Sequence, residues 1–263
     1  MSCTSDTRTI RIKGSDTEVN LVVQLAESFH KVNSNDIITI SGGGSGLGIA
    51  SLLNETADIA NSSRNIYKNE TELFQRKNMS IDSFVFAYDA IAFVVAEDLH
   101  LDSIHTRDLA SVLSGNYTNW SSLGGKELPI TIYGRQSNSG THDHIKEKLQ
   151  IDFTPYAKQM NGNAQILEAI KTDHSGIGYV GAGYVIHGAN EGIKVLMIYS
   201  DEKHKAISPL DTSTVSSELY YFKRPLYQFY KTSSFDKIKP FLEFEKSAAG
   251  QQIILSAGYY PVK

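Results

Sequence analysis

Apolar residues along the chain follow two spacings, one typical of a buried strand and one typical of an amphipathic helix. Residues 9–12 have the strand pattern, and apolar positions at helical spacing come after them: Val19, Val22, Val23, Ala26 and Phe29. The same order returns at once, with a strand at 37–40 and a helix whose apolar face carries Ile49, Leu52 and Leu53. Strand, loop and helix therefore alternate.

The rest of the chain continues this alternation. We predict strands at 58–60, 83–96, 128–133, 176–180 and 194–198, and helices at 106–113, 142–150, 164–171 and 235–257. Gly115 stands where it can end the helix at 106–113, and Pro225 interrupts an aromatic-rich extended stretch at 218–230. The pattern predicts an α/β fold, with a mainly parallel sheet and helices on both of its faces.

Length and composition indicate the number of domains and the class of protein. The 263 residues suffice for two packed domains or one large α/β unit, and 41% hydrophobic with 21% charged residues is typical of a soluble globular protein. The net charge of -4 gives no basic field for a polyanion, so we expect no nucleic-acid partner. The longest apolar tract, 84–96, contains Asp89 and is too short to span a bilayer.

Cys3 is the only cysteine, so no intramolecular disulfide can form. The sequence supports two interpretations of this residue equally. It is either a terminal residue without a role or the first mature residue of a bacterial lipoprotein, whose thiol carries the lipid. We expect residues 1–7 to form a flexible N-terminal tether. In the second case the protein contacts the membrane only through its lipid anchor.

Four loops that follow predicted strands contain hydroxyl side chains. They cover residues 14–17, 41–46, 61–64 and 135–141. Where loops leave the carboxyl ends of parallel strands, helix N-termini present unpaired N–H groups and a positive dipole end. Each loop alone is explained by helix capping, because Ser, Thr and Asp are good N-cap residues. Together the four indicate an oxyanion site, since hydroxyls and amides supply many donors without bulk.

Two of these loops also carry an arginine, whose guanidinium offers planar donors and a permanent charge to an oxyanion. Arg135 is the stronger candidate because it precedes Ser139, Gly140 and Thr141 in the same loop. Arg64 is equally explained as a salt-bridge partner at a loop edge.

Other chemistries fit the sequence less well. The glycine run at 42–48 has neither P-loop nor dinucleotide-binding spacing. Ser139 with His142, Asp143 and His144 suggests a hydrolase, but the two histidines would point to different faces of a helix, and no G-x-S-x-G elbow surrounds the serine. A metal site lacks a third ligand. We therefore interpret both histidines as surface residues and expect no cofactor.

At these loops the sequence resembles the PstS family, the phosphate-binding proteins of bacterial ABC importers. The resemblance extends from Ile10 to Val262, and the order of the motifs is more specific than any one of them. The matching segments are Ser41-Gly42-Gly43-Gly44-Ser45-Gly46, Asp58-Ile59-Ala60-Asn61-Ser62-Ser63-Arg64, Arg135-x-x-x-Ser139-Gly140-Thr141, Gly176-Ile177-Gly178-Tyr179-Val180 and Tyr221-x-x-x-Arg224-Pro225-Leu226-Tyr227.

The resemblance implies a type II periplasmic-binding-protein-like fold, in which two α/β domains enclose the ligand in a cleft. Domain I would comprise 8–90 plus 222–263, and domain II 91–221. It also implies an extracytoplasmic receptor, periplasmic or anchored to the cell membrane as a lipoprotein, which binds inorganic phosphate and delivers it unchanged to the permease of an ABC importer. We expect a monomer without enzymatic activity.

Carried over position by position, the resemblance implies a set of phosphate ligands: Ser15, the Asp16 amide, Thr17 from its place in the loop, Ser45, Ser63, Arg135, Ser139, the Gly140 amide and Thr141. Arg64 and Ser137 are additional candidates. Some family members have Asp at the position of Ser63 and an acidic residue at that of Ser137. Sulfate carries no proton near neutral pH, so such an acceptor rejects it.

Without that Asp, a preference for phosphate has to rest on another acceptor, a hydroxyl oxygen or Asp16. Sulfate or molybdate therefore stays an alternative ligand, and phosphoester hydrolysis an alternative activity.

Overall fold

A computed structural model of the chain describes residues 8–186, 191–201, 205–217 and 219–262. Cys3 and the predicted tether at 1–7 lie outside these ranges. The strands are β1 Arg8–Gly14, β2 Asp36–Ser41, β3 Ile59–Ser62, β4 Ile81–Ala96, β5 Ser103–His105, β6 Thr131–Arg135, β7 Lys158–Met160, β8 Gly176–Gly181, β9 Ile193–Val195, β10 Met197–Tyr199, β11 Lys223–Lys231 and β12 Tyr260–Pro261.

Helices alternate with these strands over most of the chain, which confirms the predicted α/β class. They are α1 Val19–Val32, α2 Ser45–Leu53, α3 Lys68–Arg76, α4 Thr106–Leu113, α5 Gly140–Leu149, α6 Asn163–Thr172, α7 Gly183–Ile186, α8 Thr212–Ser216, α9 Phe235–Lys246 and α10 Ala248–Ser256. Short 3-10 turns occur at Asp16–Glu18, Trp120–Leu123 and Thr232–Ser234. Within the part of the chain described, none of the helices has the length and apolar character needed to cross a bilayer.

Contacts between residues divide the chain into two compact units. Unit 1 contains the described residues up to Tyr88, the segment Asn138–Gly140 and the residues from Pro225 onward. Unit 2 contains Asp89–Ser137 and Thr141–Arg224. The chain leaves unit 1 within β4 and returns to it within β11.

In unit 1, β1 pairs in parallel with β2 on one side and with β3 on the other, and β11 pairs antiparallel with β3. The apolar face of α1, including Leu25 and Phe29, packs with Ile10 of β1 and with Phe241 of α9 in one buried cluster. Because β1, β2 and β3 run in the same direction, the loops that follow them leave the sheet at the same edge.

In unit 2, β8 pairs in parallel with β6 and antiparallel with β4, while β7 pairs in parallel with β6. β9 pairs antiparallel with β4, and β5 forms a separate parallel pair with β10. Phe93 of β4 contacts Phe222 edge to face, with 4.9 Å between ring centroids. Both rings are buried and form part of this unit's core.

The strand pairing is mixed: the predicted parallel pairing is present among β1, β2 and β3 and among β6, β7 and β8, whereas β4 is antiparallel to β8, β9 and β12, and β11 is antiparallel to β3. β4 is one continuous strand of 16 residues that contributes to both units. Parallel pairing of successive strands requires a crossover connection, usually a helix. β4 continues from unit 1 into unit 2 without such a connection.

Several predicted boundaries also differ from the structure. The glycine-rich segment at 42–48 is not a turn throughout, because α2 begins at Ser45. Gly48 lies inside that helix, where a Cβ atom would come 2.6 Å from the carbonyl oxygen of Lys13. Glycine is therefore needed there for close packing of the helix on β1. Similarly, α5 begins at Gly140 and not at 142.

Three predicted elements in the second half of the chain need correction. The strand at 194–198 is split into β9 and β10, and the helix at 235–257 is split at Ser247, whose backbone is extended (ψ 162°). Pro225 does not break its strand, since it lies inside β11. The ladder with β3 runs from Tyr227 to Tyr230, so it does not require the N–H that proline lacks.

Unit 1 buries a carboxyl group in its core. Glu245 of α9 is fully buried, and its Oε1 accepts a hydrogen bond of 2.9 Å from Nε2 of Gln228 in β11. Burial raises the pKa of Glu245 to about 8, although Gln228 and the charge of Lys246 oppose the shift. The carboxyl group is therefore protonated in the folded protein at neutral pH.

This protonation predicts a pH-dependent stability. An unfolded Glu titrates near pH 4.5, so between pH 4.5 and about 8 the folded state binds the proton that the unfolded state has lost. The free energy of unfolding should fall across this window by about 1.4 kcal/mol per pH unit from this group. Urea unfolding at several pH values should show that Glu245→Gln, a neutral isostere, removes this slope.

Glu243→Gln is the matched control, because Glu243 lies on the same helix and is exposed. It should keep the slope of the unchanged protein. A Glu245→Gln variant with that same slope would show that Glu245 is ionised in the fold.

Candidate functional site

Three serines lie at the edge of unit 1 where its parallel strands end. Ser15 directly follows β1, and Ser63 directly follows β3. Ser45 is the first residue of α2, the helix that follows β2. We call these three residues the serine cluster. All three are at most 2% exposed.

The hydroxyl groups of the serine cluster contact one another. Ser15 Oγ donates to Ser63 Oγ at 3.1 Å, and Ser45 Oγ lies 3.4 Å from Ser63 Oγ. The backbone N–H of Ser63 donates to Ser45 Oγ at 3.1 Å. The three loops therefore bring their hydroxyls to one point, as a multidentate site for an oxyanion requires.

Backbone hydrogen bonds hold these loops together. Ser15 N–H donates to the carbonyl of Asn61 at 2.9 Å, and Gly44 N–H donates to the carbonyl of Gly14 at 2.9 Å. Gly14 has a φ of 140°, and a Cβ atom there would clash with the Asn61 carbonyl. Glycine at position 14 therefore allows the first and third loops to approach closely.

Gly140 packs directly on the serine cluster. A Cβ atom at this position would lie 2.6 Å from both Ser45 Oγ and Ser63 Oγ. Asn138, two residues before Gly140, holds this segment against the loop at 41–46. Its carbonyl accepts the N–H of Gly46 at 3.0 Å, and its Nδ2 donates to the carbonyl of Gly43 at 3.1 Å. The sequence pattern gave no indication of Asn138, since an exposed Asn in a loop has no distinctive spacing.

The remaining predicted ligands of unit 1 lie beside this cluster in the chain. Thr17 is buried, and its carbonyl accepts a hydrogen bond of 2.6 Å from the hydroxyl of Tyr259. Asp16 is half-buried, and its Oδ1 would lie 3.3 Å from a Cβ atom placed on Gly42. Ser139 is buried. The contact with Tyr259 spans 242 residues, so no local signal could have indicated it.

Arg64 forms an ion pair with Glu70 within unit 1. Its Nη1 and Nη2 donate to the two carboxylate oxygens of Glu70 at 2.8 and 2.7 Å. The guanidinium carbon also lies 3.9 Å from the ring centroid of Tyr67. Of the two interpretations left open for this arginine, the salt bridge is the one present. The bond from Tyr67 N–H to Glu70 at 2.8 Å caps α3 at the same point.

The other predicted ligands, Arg135, Ser137 and Thr141, belong to unit 2. Arg135 is the last residue of β6 and is 2% exposed, Thr141 is buried in the first turn of α5, and Ser137 is exposed. The backbone N–H of Arg135 donates to the hydroxyl of Tyr179 at 2.9 Å, and its Nη2 donates to the carbonyl of Asn161 at 3.0 Å. Burial raises the pKa of Tyr179, so that its hydroxyl stays neutral. These contacts orient Arg135.

The interpretation of His142 and His144 as surface residues was wrong. Both are half-buried in unit 2, and the His142 ring stacks on Phe153 with 4.5 Å between centroids. Burial, assisted by the positive charge of Arg224, lowers the pKa of His144 to about 3. His144 is therefore too weak a base to activate a nucleophile at neutral pH. The residues described include no group of three side chains suited to a metal ion.

Comparison with protein families gives a match over most of the chain. Residues 2–248 match the model of a family described as a PBP superfamily domain. The phosphate-binding protein PstS of Borreliella burgdorferi is 28% identical over 97% of this chain and 90% of its own length. The phosphate-binding protein PstS of Pseudomonas aeruginosa is 25% identical over 95% of this chain and 81% of its own. The predicted resemblance to the PstS family is confirmed.

Solved structures show the same fold. A protein from Clostridium perfringens, crystallised with bound phosphate, matches with a TM-score of 0.86 at 23% identity, covering 97% of this chain and all (100%) of its own. PstS from Borrelia burgdorferi matches with a TM-score of 0.59 at 28% identity, covering 97% and 99% of the two chains. The periplasmic-binding-protein-like fold predicted from the sequence is thereby confirmed.

Proposed function

Because the chain belongs to the PBP superfamily, we propose that it is an extracytoplasmic solute-binding protein that binds inorganic phosphate and delivers it to an ABC importer. The observation that carries this proposal is the serine cluster. Three buried hydroxyls, each from a different loop, meet at one edge of unit 1, where Ser15 Oγ lies 3.1 Å and Ser45 Oγ 3.4 Å from Ser63 Oγ. Relatives named phosphate-binding protein PstS support phosphate as the ligand.

The proposed ligands are the residues that the family resemblance implies. In unit 1 they are Ser15, Asp16 through its amide, Thr17, Ser45, Ser63, Ser139 and Gly140 through its amide. In unit 2 they are Arg135 and Thr141, with Ser137 as a further candidate. The division into domains at 90/91 and 221/222 and the ligand cleft between them stay predictions from the sequence.

Neutral donors and one counter-charge explain how such a site would bind and still release its ligand. Hydroxyls and amides of the serine cluster and of the first turn of α2 stabilise negative charge without adding net charge. Arg135 supplies the permanent positive charge, since a guanidinium does not lose its proton in a protein.

The same site is compatible with two alternative functions, the binding of another oxyanion and phosphoester hydrolysis. A cluster of neutral hydroxyls can also hold sulfate or molybdate, so these ions are the main competing ligands. A phosphoester hydrolase is disfavoured, because a His144 whose pKa is about 3 cannot act as a general base at neutral pH. We therefore propose binding without turnover.

The cellular setting is also part of the proposal. A binding protein that serves an importer works outside the cytoplasm, next to the permease. We propose that Cys3 carries a lipid that holds the protein at the membrane, and that the protein is a monomer. Mass spectrometry of the protein from its native membrane should find diacylglycerol on Cys3, and an unmodified thiol there would contradict the anchor.

Isothermal titration of the ligand-free protein with phosphate tests the proposed function. We expect binding at one site, and a loss of affinity of about a hundredfold or more in Arg135→Ala, because a buried charged hydrogen-bond donor is removed. Arg107→Ala is the matched control, since Arg107 is exposed in the same unit. Absence of phosphate binding by folded, ligand-free protein would contradict the proposal.

A change at Glu70 separates two roles of Arg64. We propose that the Arg64–Glu70 ion pair positions the turn that contains Ser63, without contacting phosphate. Glu70→Gln should then leave phosphate affinity unchanged or weaken it less than about tenfold, because one half-buried ion pair is lost. If Arg64 were itself a ligand, freeing it from Glu70 would strengthen binding. Titration of Glu70→Gln, with exposed Glu72→Gln on the same helix as control, distinguishes the two outcomes.

A further inference from the structure

The hydrogen bonds of the serine cluster determine which of its atoms are donors and which are acceptors. A serine hydroxyl has one proton to donate and two lone pairs that can accept. Ser15 donates its proton to Ser63 Oγ at 3.1 Å, and the geometry of that contact has Ser15 as the donor. The proton of Ser15 is therefore already used within the cluster.

The backbone of Ser15 offers no donor in its place. Its N–H donates to the carbonyl of Asn61 at 2.9 Å. What remains at Ser15 for a bound ligand is the lone pairs of Oγ. Ser15 thus differs from a general oxyanion donor, although its residue type suggests one.

Ser45 and Ser63 have the opposite character. Ser45 Oγ accepts the N–H of Ser63, and Ser63 Oγ accepts the proton of Ser15. Between these two hydroxyls there is one contact of 3.4 Å, which uses at most one of their two protons. At least one proton of the pair is therefore left to donate to an oxyanion. The cluster combines at least one donor, at position 45 or 63, with an acceptor at position 15.

We propose that Ser15 Oγ accepts a hydrogen bond from the protonated oxygen of the bound oxyanion, and that Ser15 thereby selects phosphate over sulfate. This inference rests on the proposed function of the same site. Phosphate near neutral pH always carries a proton to donate, whereas sulfate carries none. A sulfate oxygen placed at Ser15 would face lone pairs and leave a buried acceptor unsatisfied, which is costly.

Three alanine variants within the cluster separate this role from simple donation. Ser15→Ala removes the acceptor. Ser63→Ala removes the group that holds the proton of Ser15, so Ser15 becomes a donor toward the ligand. Ser45→Ala removes a donor and leaves the bond between Ser15 and Ser63 in place. The affinity for phosphate is measured by isothermal titration at pH 7.5, and that for sulfate by competition up to molar concentration.

The ratio of sulfate Kd to phosphate Kd is the quantity that decides. It should fall about tenfold in Ser15→Ala and in Ser63→Ala, and stay within about threefold of the unchanged protein in Ser45→Ala, as expected for one hydrogen bond. Arsenate, which carries a proton as phosphate does, should follow phosphate in every variant.

An equal loss of phosphate and sulfate affinity in Ser15→Ala would overturn the inference, and so would sulfate binding that stays undetectable in that variant. Either result would leave the proposed function intact, because that function depends on phosphate binding by the unchanged protein. No phosphate binding by the unchanged protein would refute the proposed function itself, and the inference with it.

Discussion

Alanine at position 140 is expected to lower the affinity for phosphate about ten- to a hundredfold, because overpacking by one methyl group costs roughly 1–3 kcal/mol. The added Cβ would lie 2.6 Å from Ser45 Oγ and from Ser63 Oγ, and 2.9 Å from the carbonyl carbon of Ser63. Two of these atoms are hydroxyl oxygens of the proposed site. The Gly140 backbone would have to move away from them, and its amide would move with it.

Gly46→Ala is the matched control for this variant. Gly46 lies in the first turn of α2, and a Cβ atom there would meet its nearest neighbour, in Asn138, at an ordinary 3.5 Å. Titration should show little change in phosphate affinity for Gly46→Ala, and thermal unfolding should show that both variants are folded. Unchanged affinity in Gly140→Ala would mean that Gly140 does not pack on the ligand groups.

Asp89→Ala is expected to destabilise unit 2 by about 3–5 kcal/mol, because it removes the carboxylate that pairs with the buried charge of Arg224. Both side chains of this ion pair are 0% exposed, and Nη2 of Arg224 lies 2.7 Å from Oδ2 of Asp89. Nε of Arg224 donates to the same oxygen at 3.1 Å. The two residues stand where the chain enters and leaves unit 2. Urea unfolding followed by circular dichroism measures the loss.

An exposed ion pair of the same unit supplies the comparison. Glu168 and Lys171 lie three residues apart on α6 with 2.8 Å between their charged atoms, and Glu168 is 71% exposed. Glu168→Ala should cost less than about 1 kcal/mol, as exposed pairs generally do. If Asp89→Ala cost no more than that, the buried pair would not stabilise the fold.

Replacing both residues of the ion pair removes the two buried charges together. In Asp89→Leu with Arg224→Met, neither charge remains to be desolvated. We expect this double variant to recover most of the stability that Asp89→Ala loses, since apolar side chains of similar volume often replace a buried ion pair without cost.

The sequence predicted the elements of this fold best where a single periodicity decides them. The boundaries of α4 and most of α1 follow directly from apolar spacing and from Gly115 after α4. Prediction failed where packing overrides a local signal. Glycines suggested a turn at 42–48, but Gly48 lies inside α2 and is needed there because this helix packs against the backbone of Lys13 and Gly14.

The candidate site also contains features that the sequence predicts and features that it does not. Ser15, Ser45 and Ser63 were predictable because each follows a strand in a loop rich in small polar residues. Glu70 as partner of Arg64, and Tyr259 as partner of Thr17, were not predictable, since such contacts depend on tertiary structure. The same is true of the direction of the bond from Ser15 to Ser63, which no spacing along the chain encodes.

A crystal structure of the arsenate complex, with anomalous data at the arsenic edge, tests whether the serine cluster binds the oxyanion. Arsenate has the shape and protonation of phosphate, and the arsenic atom marks its position without ambiguity. We expect one strong anomalous peak, whose oxyanion lies within hydrogen-bonding distance of the hydroxyls of Ser15, Ser45 and Ser63. A peak elsewhere on the protein, with the serine cluster empty, would contradict it.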